Sequence, residues 1–332
     1  MKDSMKGLLP EQLQRRLKVQ RQRLLILVEG ARDTLRHLHF ASPDDHVFDP
    51  SSGRSAETQL TKDYHRIEKG LSLRQPKRPF AKAVDARLQA GITGIPHDAP
   101  LADHVATARA ALATWNASGV VHDVIAPMQE AQRVWGGLLT PAGREVGEQL
   151  LTSRRSVRDF GAGTVNPSLV YDAVRLARFT PSVCNRQAWL VHWYTDPVQV
   201  QGILRRQNGN AGFGEHVPSV AIITVDTRLF AGPGERNQRW VDGGMFAANF
   251  ANALHLNGLA TCFLNWSMSN RASTDLRTLA EIPDHEDVIT LLAIGTPPDQ
   301  FRAARSPRRA TEFLLRQHAP PPAADPSSDS QE

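Results

Sequence analysis

The chain has 332 residues, 41% of them hydrophobic and 22% charged, which is enough apolar material for a sizeable core and, on length, about two domains. Its formal net charge of +5 is compatible with nucleic acid, yet no RNA-reading aromatic pattern, helix-turn-helix signal or zinc spacing accompanies it, so an anionic small molecule ranks above nucleic acid. The two cysteines, Cys184 and Cys262, stand far apart without a CxxC pattern, which excludes a disulfide framework and points to a reducing compartment.

Residues 11–40 read as one long amphipathic helix, with leucines at 13, 17, 24 and 35 and a basic face of Arg15, Arg16, Arg21 and Arg23. It is either a packing helix or one made for a membrane surface or an acidic partner. The run Leu24–Val28 is far too short to span a bilayer. With no apolar leader in Met1–Gln20, a cytoplasmic protein is expected.

Residues 41–60, rich in Ser, Asp, Pro and Gly, read as a loop, and helices follow at 61–70, 81–91 and 100–117, the first two separated by the proline-containing stretch Gln75–Pro79. Within the first of these, Tyr64-His-Arg-Ile-Glu-Lys-Gly-Leu71 places His65, Glu68 and Lys69 on one helical face. That is a salt-bridged helix end capped by Gly70, or a lid over a substrate. His37, His39 and His46 have no convincing ligand spacing, so no metal site is expected.

The pattern changes near residue 142. Helices are expected at 141–151, 168–179, 197–206, 238–257 and 273–281, alternating with strands at 187–195, 217–226, 259–265 and 288–294. No Gly-x-Gly-x-x-Gly links a strand to a helix, and Gly161-Ala-Gly163 follows a helix, so a dinucleotide-binding Rossmann unit is excluded. The tail beyond 317 is mostly Pro, Ala, Ser and Asp and is expected to be disordered. The expected domains are therefore a mainly helical region 1–141, a second domain 142–317 and a tail 318–332.

Four patches in the second domain carry chemistry. Ser153-Arg-Arg-Ser-Val-Arg-Asp-Phe160 offers the guanidiniums of Arg154, Arg155 and Arg158 with the Ser156 hydroxyl, a donor set matched to a phosphate. Pro181-Ser-Val-Cys-Asn-Arg-Gln-Ala-Trp189 is a polar turn whose Asn185 and Gln187 amides both donate and accept, as the edge of a flavin or pterin demands. Trp240–Leu254 has a narrow face of Gly243, Gly244, Ala247, Ala248 and Ala251, open to close approach by a backbone or flat ring. Arg308 and Arg309 come late, after Gly295-Thr-Pro-Pro298.

This order, with Gly258-Leu-Ala-Thr-Cys-Phe-Leu-Asn-Trp266 between the third and fourth patches, resembles the nitroreductase superfamily over about residues 142–317. The resemblance implies an α+β fold with a mixed, largely antiparallel sheet, assembled as an intertwined homodimer with FMN in the interface. It implies that Arg154, Ser156 and Arg158 form the opening FMN motif, with Arg155 also cofactor-binding: Arg154 meets the phosphate, Arg158 lies near the ribityl chain and the N1–C2 carbonyl edge, and Asn185 and Gln187 reach the ring from the partner subunit. Asn265 and Trp266 fall where the family turns its backbone toward flavin N4 and N5, with Trp266 in place of a usual glycine. Arg308 and Arg309 resemble the late basic pair that closes on the phosphate.

The implied activity is reduction of a nitro, quinone or other conjugated small-molecule acceptor with NAD(P)H as electron donor. No side-chain nucleophile is required. The alternatives are a flavin-dependent dehydrogenase or oxidase of a tailored metabolite, and a degenerate flavin-binding module.

Overall fold

Helix starts in the second half are written locally. Thr140, Asn166, Asp196 and Ser269 each accept a backbone N–H from the first turn of the helix they precede, and the first three are followed by proline. In the computed structural model, which describes residues 10–43, 53–93, 100–120, 136–137, 139–304 and 306–318, these caps open α5 (Pro141–Ser153), α6 (Pro167–Ala177), α7 (Pro197–Leu204) and α9 (Asn270–Ala280). The other elements are α1 (Glu11–Phe40), α2 (Gly53–Leu71), α3 (Lys82–Ile92), α4 (Pro100–Ser118), β1 (Trp189–Tyr194), β2 (Ser219–Asp226), α8 (Gln238–Leu256), β3 (Ala260–Asn265), β4 (Glu286–Gly295) and α10 (Thr311–Leu314). The tail from 319, His46 and Arg305 lie outside the described residues.

The fold is α+β. Four strands form one sheet in the order β1-β2-β4-β3, every adjacent pair antiparallel. Parallel pairing occurs as isolated bridges, Ser156 to Thr261 and Ser42 to Ala231. The central strand β2 is buried over its whole length. Its alternate residues serve two cores: Val220 and Ile222 pack with α7 and α9 residues such as Ile203 and Leu276, while Ala221 and Ile223 pack with α6 and α8 through Ala173, Phe246 and Phe250. Gly243 on α8 is required by this contact, because a Cβ there would lie 2.6 Å from Ile289 Cγ1.

The first half forms its own apolar cluster, in which Leu60, Tyr64 and Ile67 of α2 meet Leu88 of α3 and Val105 and Leu112 of α4. Two expectations are corrected here. Residues 53–60 are the first turns of α2, not loop, because Thr58, Gln59 and Leu60 are buried and packing overrides a polar composition. Gly70 lies inside α2 and does not cap it; it admits the Phe80 ring, which a Cβ would meet at 2.4 Å.

No helix among the described residues is long and apolar enough to cross a membrane. Among the same residues no group of three or more His, Cys, Asp or Glu side chains is placed to hold a metal.

Candidate cofactor site

At the end of α5 the chain turns extended at Arg154 and runs onto the edge of the sheet, where the Val157 N–H donates to Thr261 O at 2.9 Å. The motif is thereby fixed beside β3. Arg154 Nη1 is buried with no hydrogen-bond partner, and its guanidinium stands 6.0 Å from the centre of the Phe263 ring. Thr261 Oγ1 is likewise buried and unpaired. Leaving a buried charged donor unsatisfied costs about 1–3 kcal/mol or more, which makes Arg154 a candidate ligand-binding group.

The surroundings are electropositive. His255 Nε2 lies 2.7 Å from Ser153 Oγ, and burial, then Arg154 and Arg155, hold its pKa below the usual histidine value. Burial pushes the Cys262 thiol up, against the pull of Arg158 and Arg154. Arg158 is exposed, and Arg155 is turned back onto the carbonyls of Thr152 and Arg154. A bridge from Val157 to Ala303, with the Gly161 N–H on Thr296 O at 2.8 Å, lays the C-terminal segment along the motif. Arg308 and Arg309 follow five and six residues beyond that bridge; both are exposed, and Arg308 Nη1 donates to Ser306 O.

The second patch is a turn under strain. Cys184, Asn185 and Gln187 have φ of 48°, 53° and 50°, in the left-handed region that costs non-glycine residues roughly 1–2 kcal/mol each. Three anchors hold it. Ser182 Oγ accepts from Gln187 N at 3.0 Å, and Asp242 Oδ2 accepts from Val183 N at 3.1 Å. The fully buried Arg186 side chain donates to both carboxylate oxygens of Glu235 and to Leu229 O. The Asn185 and Gln187 amides are left at the surface, with Asn185 Nδ2 donating to Tyr64 Oη of α2 at 3.2 Å.

One copy of the chain does not bring these patches together. Ser156 sits beside Thr261 on the β3 edge, level through Ile294 with Ser219, next to the Val220–Tyr194 pair where β1 finishes. The Asn185 turn precedes Trp189, where β1 starts on the other edge. The patches occupy diagonal corners, and three strand spacings alone put roughly 14 Å between the edges.

Asn265 ends β3, its Nδ2 donating to Ser267 Oγ at 2.6 Å and its carbonyl accepting from Gln207 Nε2 at 3.0 Å. The Trp266 indole is a core group, 8% exposed, donating to Ser273 Oγ at 3.0 Å. Of the small residues on α8, Gly243, Ala247 and Ala251 are buried toward the sheet, while Gly244 and Ala248 are exposed between Trp240, Val241 and Met245. The Arg186–Glu235 pair has no sequence signal at a separation of 49 residues. Asp242, at the start of Asp242-Gly-Gly on α8, is the anchor of the turn.

Residues 198–296 match the family model of the nitroreductases. That segment is nitroreductase-like. The match takes in β2, α8, β3 and β4 but neither the arginine motif nor the Asn185 turn. No curated protein matches the chain. Solved structures similar to it include a nitroreductase family protein of Streptococcus pneumoniae, 16% identical, covering 51% of this chain and 98% of that one at a TM-score of 0.44. An FMN-dependent nitroreductase of Clostridium difficile is 20% identical over 47% of this chain and 91% of its own, with a TM-score of 0.40. A Desulfovibrio desulfuricans protein described as a nitroreductase in complex with FMN is 21% identical, covering 52% and 96%, with a TM-score of 0.43.

Proposed function

We propose that the chain is an FMN-dependent oxidoreductase of the nitroreductase type, acting as a homodimer, which takes electrons from NAD(P)H and passes them to a nitro, quinone or other conjugated acceptor. The observation that carries this reading is the buried, unpartnered Arg154 Nη1 at the head of a run of basic and hydroxyl side chains. A phosphate satisfies that donor, and the chemistry of the set suits FMN: Arg154, Arg155 and Ser156 for the phosphate end, Arg158 for the anionic edge of a reduced ring. Bound flavin supplies the hydride chemistry.

The chain's own residues bind and orient. Arg308 and Arg309, carried on the segment bridged to Val157, are proposed to close over the phosphate. Asn185 and Gln187 would come from a second copy, a reading that the diagonal placement of the two patches supports. The exposed apolar face of α8, with Trp240 at 41%, Val241 at 50% and Met245 at 38%, supports an interface there. Helices α2, α3 and α4 share an apolar core of their own, and α2 braces the Asn185 turn through Tyr64.

The as-isolated protein should be yellow, with flavin absorbance that NADH or NADPH bleaches. Failure to retain flavin even after FMN is added sinks the reading. Colour that neither nicotinamide bleaches moves the function to oxidation of a metabolite with oxygen as electron acceptor.

A further inference from the structure

Helix α2 turns one face toward the Asn185 turn, and that face carries titratable groups which the proposed function leaves unused. Tyr64 Oη accepts from Asn185 Nδ2 at 3.2 Å, and the Cys184 thiol acts on Tyr64 from the same turn. Glu68 follows Tyr64 by four residues and so stands on the same side of the helix, with roughly 6 Å between their Cβ atoms. The His104 ring of α4 meets the Tyr64 ring edge to face, centres 5.7 Å apart, and its charge reaches Glu68. Glu68 is half-buried, yet among the described residues its carboxylate accepts no hydrogen bond; its ionic contact is His65 Nδ1, 3.9 Å from Oε2. Burial, then Lys69 and Arg186, hold the His65 pKa below the usual histidine value, so the ring stays neutral and leaves the carboxylate uncompensated. Burial pushes the Glu68 carboxyl up, against a weaker pull from His104. The other charged groups packed around α2 are engaged elsewhere: Arg66 and Arg87 with Asp63, Asp85 with Arg109, Arg186 with Glu235, and Arg228 with Asp226. A half-buried carboxyl with no donor to hold its charge keeps its proton to higher pH and can give it to a molecule beside it.

We propose that Glu68 is the proton donor to the electron acceptor, which makes the substrate a molecule that takes a proton on oxygen as it is reduced, a quinone or a nitro compound. This rests on the flavin reading, which lays Asn185 against the ring and so brings Glu68 to the side where an acceptor stacks. A quinone becomes a hydroquinone by gaining one hydride and one proton. With the hydride supplied by the reduced cofactor, the Glu68 O–H breaks as an O–H forms on the acceptor oxygen. Solvent then returns a proton to the carboxylate past the exposed His104.

The FMN-loaded protein, reduced with one equivalent of dithionite, is mixed either with 1,4-benzoquinone or with ferricyanide, which takes an electron and no proton. Glu68→Gln should slow quinone reduction about 100-fold and abolish its decline as pH rises through the Glu68 pKa, while ferricyanide reduction changes by less than about twofold. Glu68→Asp should keep the pH-dependent limb. Before cofactor is added, the infrared difference between wild type and Glu68→Gln at about pH 5.5, where an ordinary glutamate is ionised, should show a neutral carboxyl. An ionised carboxyl there, equal loss with both acceptors, or no loss with either overturns the assignment while leaving the flavin reading intact. A protein that takes up no FMN sinks that reading and this assignment with it.

Discussion

Tyr64 Oη accepts a hydrogen bond from Asn185 Nδ2 at 3.2 Å across 121 residues of sequence, tying the helical first half to the strained turn before β1. Burial pushes the Tyr64 phenol above its ordinary pKa, so it remains the neutral hydroxyl that this contact needs. Tyr64→Phe keeps the ring in its apolar cluster and deletes only the bond, worth about 1 kcal/mol. Thermal stability should fall by a few degrees at most, while substrate KM rises about fivefold, the rate equivalent of that energy. Unchanged KM with a lowered Tm would make Tyr64 a purely structural brace.

Arg154→Met removes a buried donor that has no protein partner. The apo-protein should lose no stability, whereas FMN affinity should drop about 10- to 100-fold, as for loss of one charge-assisted bond of roughly 1.5–3 kcal/mol. His255 gives an independent readout by NMR titration. Its pKa, held down by burial and by Arg154 and Arg155, should rise when FMN is added and also in the Arg154→Met variant. A titration that ignores both changes places the anion elsewhere.

Glu286 is buried in β4, accepting from His192 Nε2 at 2.7 Å and from the Thr224 hydroxyl. Burial raises its pKa, but the His192 and Thr224 bonds outweigh that, and the net direction is down. A carboxyl depressed in the folded state stabilises above its unfolded pKa, near 4.3, and that stability is lost as pH falls through the lower folded value. Glu286→Gln should cost about 2 kcal/mol at pH 7 and flatten the acid limb of a Tm–pH curve below about pH 4. An acid limb identical to wild type would show that other carboxylates govern it.

Gly243→Ala drives a methyl into Ile289 and Val225, 2.6 Å and 3.1 Å away. Overpacking of this kind costs about 1–3 kcal/mol. Ile289→Ala in the same chain should recover part of the loss, a coupling that urea denaturation of the four proteins of the cycle would measure. Additive losses would show that α8 shifts instead of the side chain.

Element type was legible wherever one period dominated, as in β2, whose eight residues are all buried, and α8, whose apolar positions recur at helical spacing. The start of α2 was not, because Gly53-Arg-Ser-Ala-Glu-Thr-Gln has a loop's composition and helical form is imposed by the burial of Thr58 and Gln59. At the site, residue chemistry was readable and geometry was not. The arginine motif offered a donor set that a phosphate would suit. The partners that hold the turn, Glu235 for Arg186 and Tyr64 for Asn185, lie 49 and 121 residues away and carry no spacing signal. Nor could sequence show that Trp266, the apparent obstruction, donates its N–H to Ser273 and packs inward.

Diagonal corners have a consequence for mixtures of damaged chains. A subunit crippled at Arg154 still offers a sound Asn185 turn, and one crippled at Asn185 still offers a sound arginine pocket. In the proposed homodimer, two inactive preparations that exchange subunits should therefore regain activity, each hybrid pairing holding one intact centre and one doubly broken one.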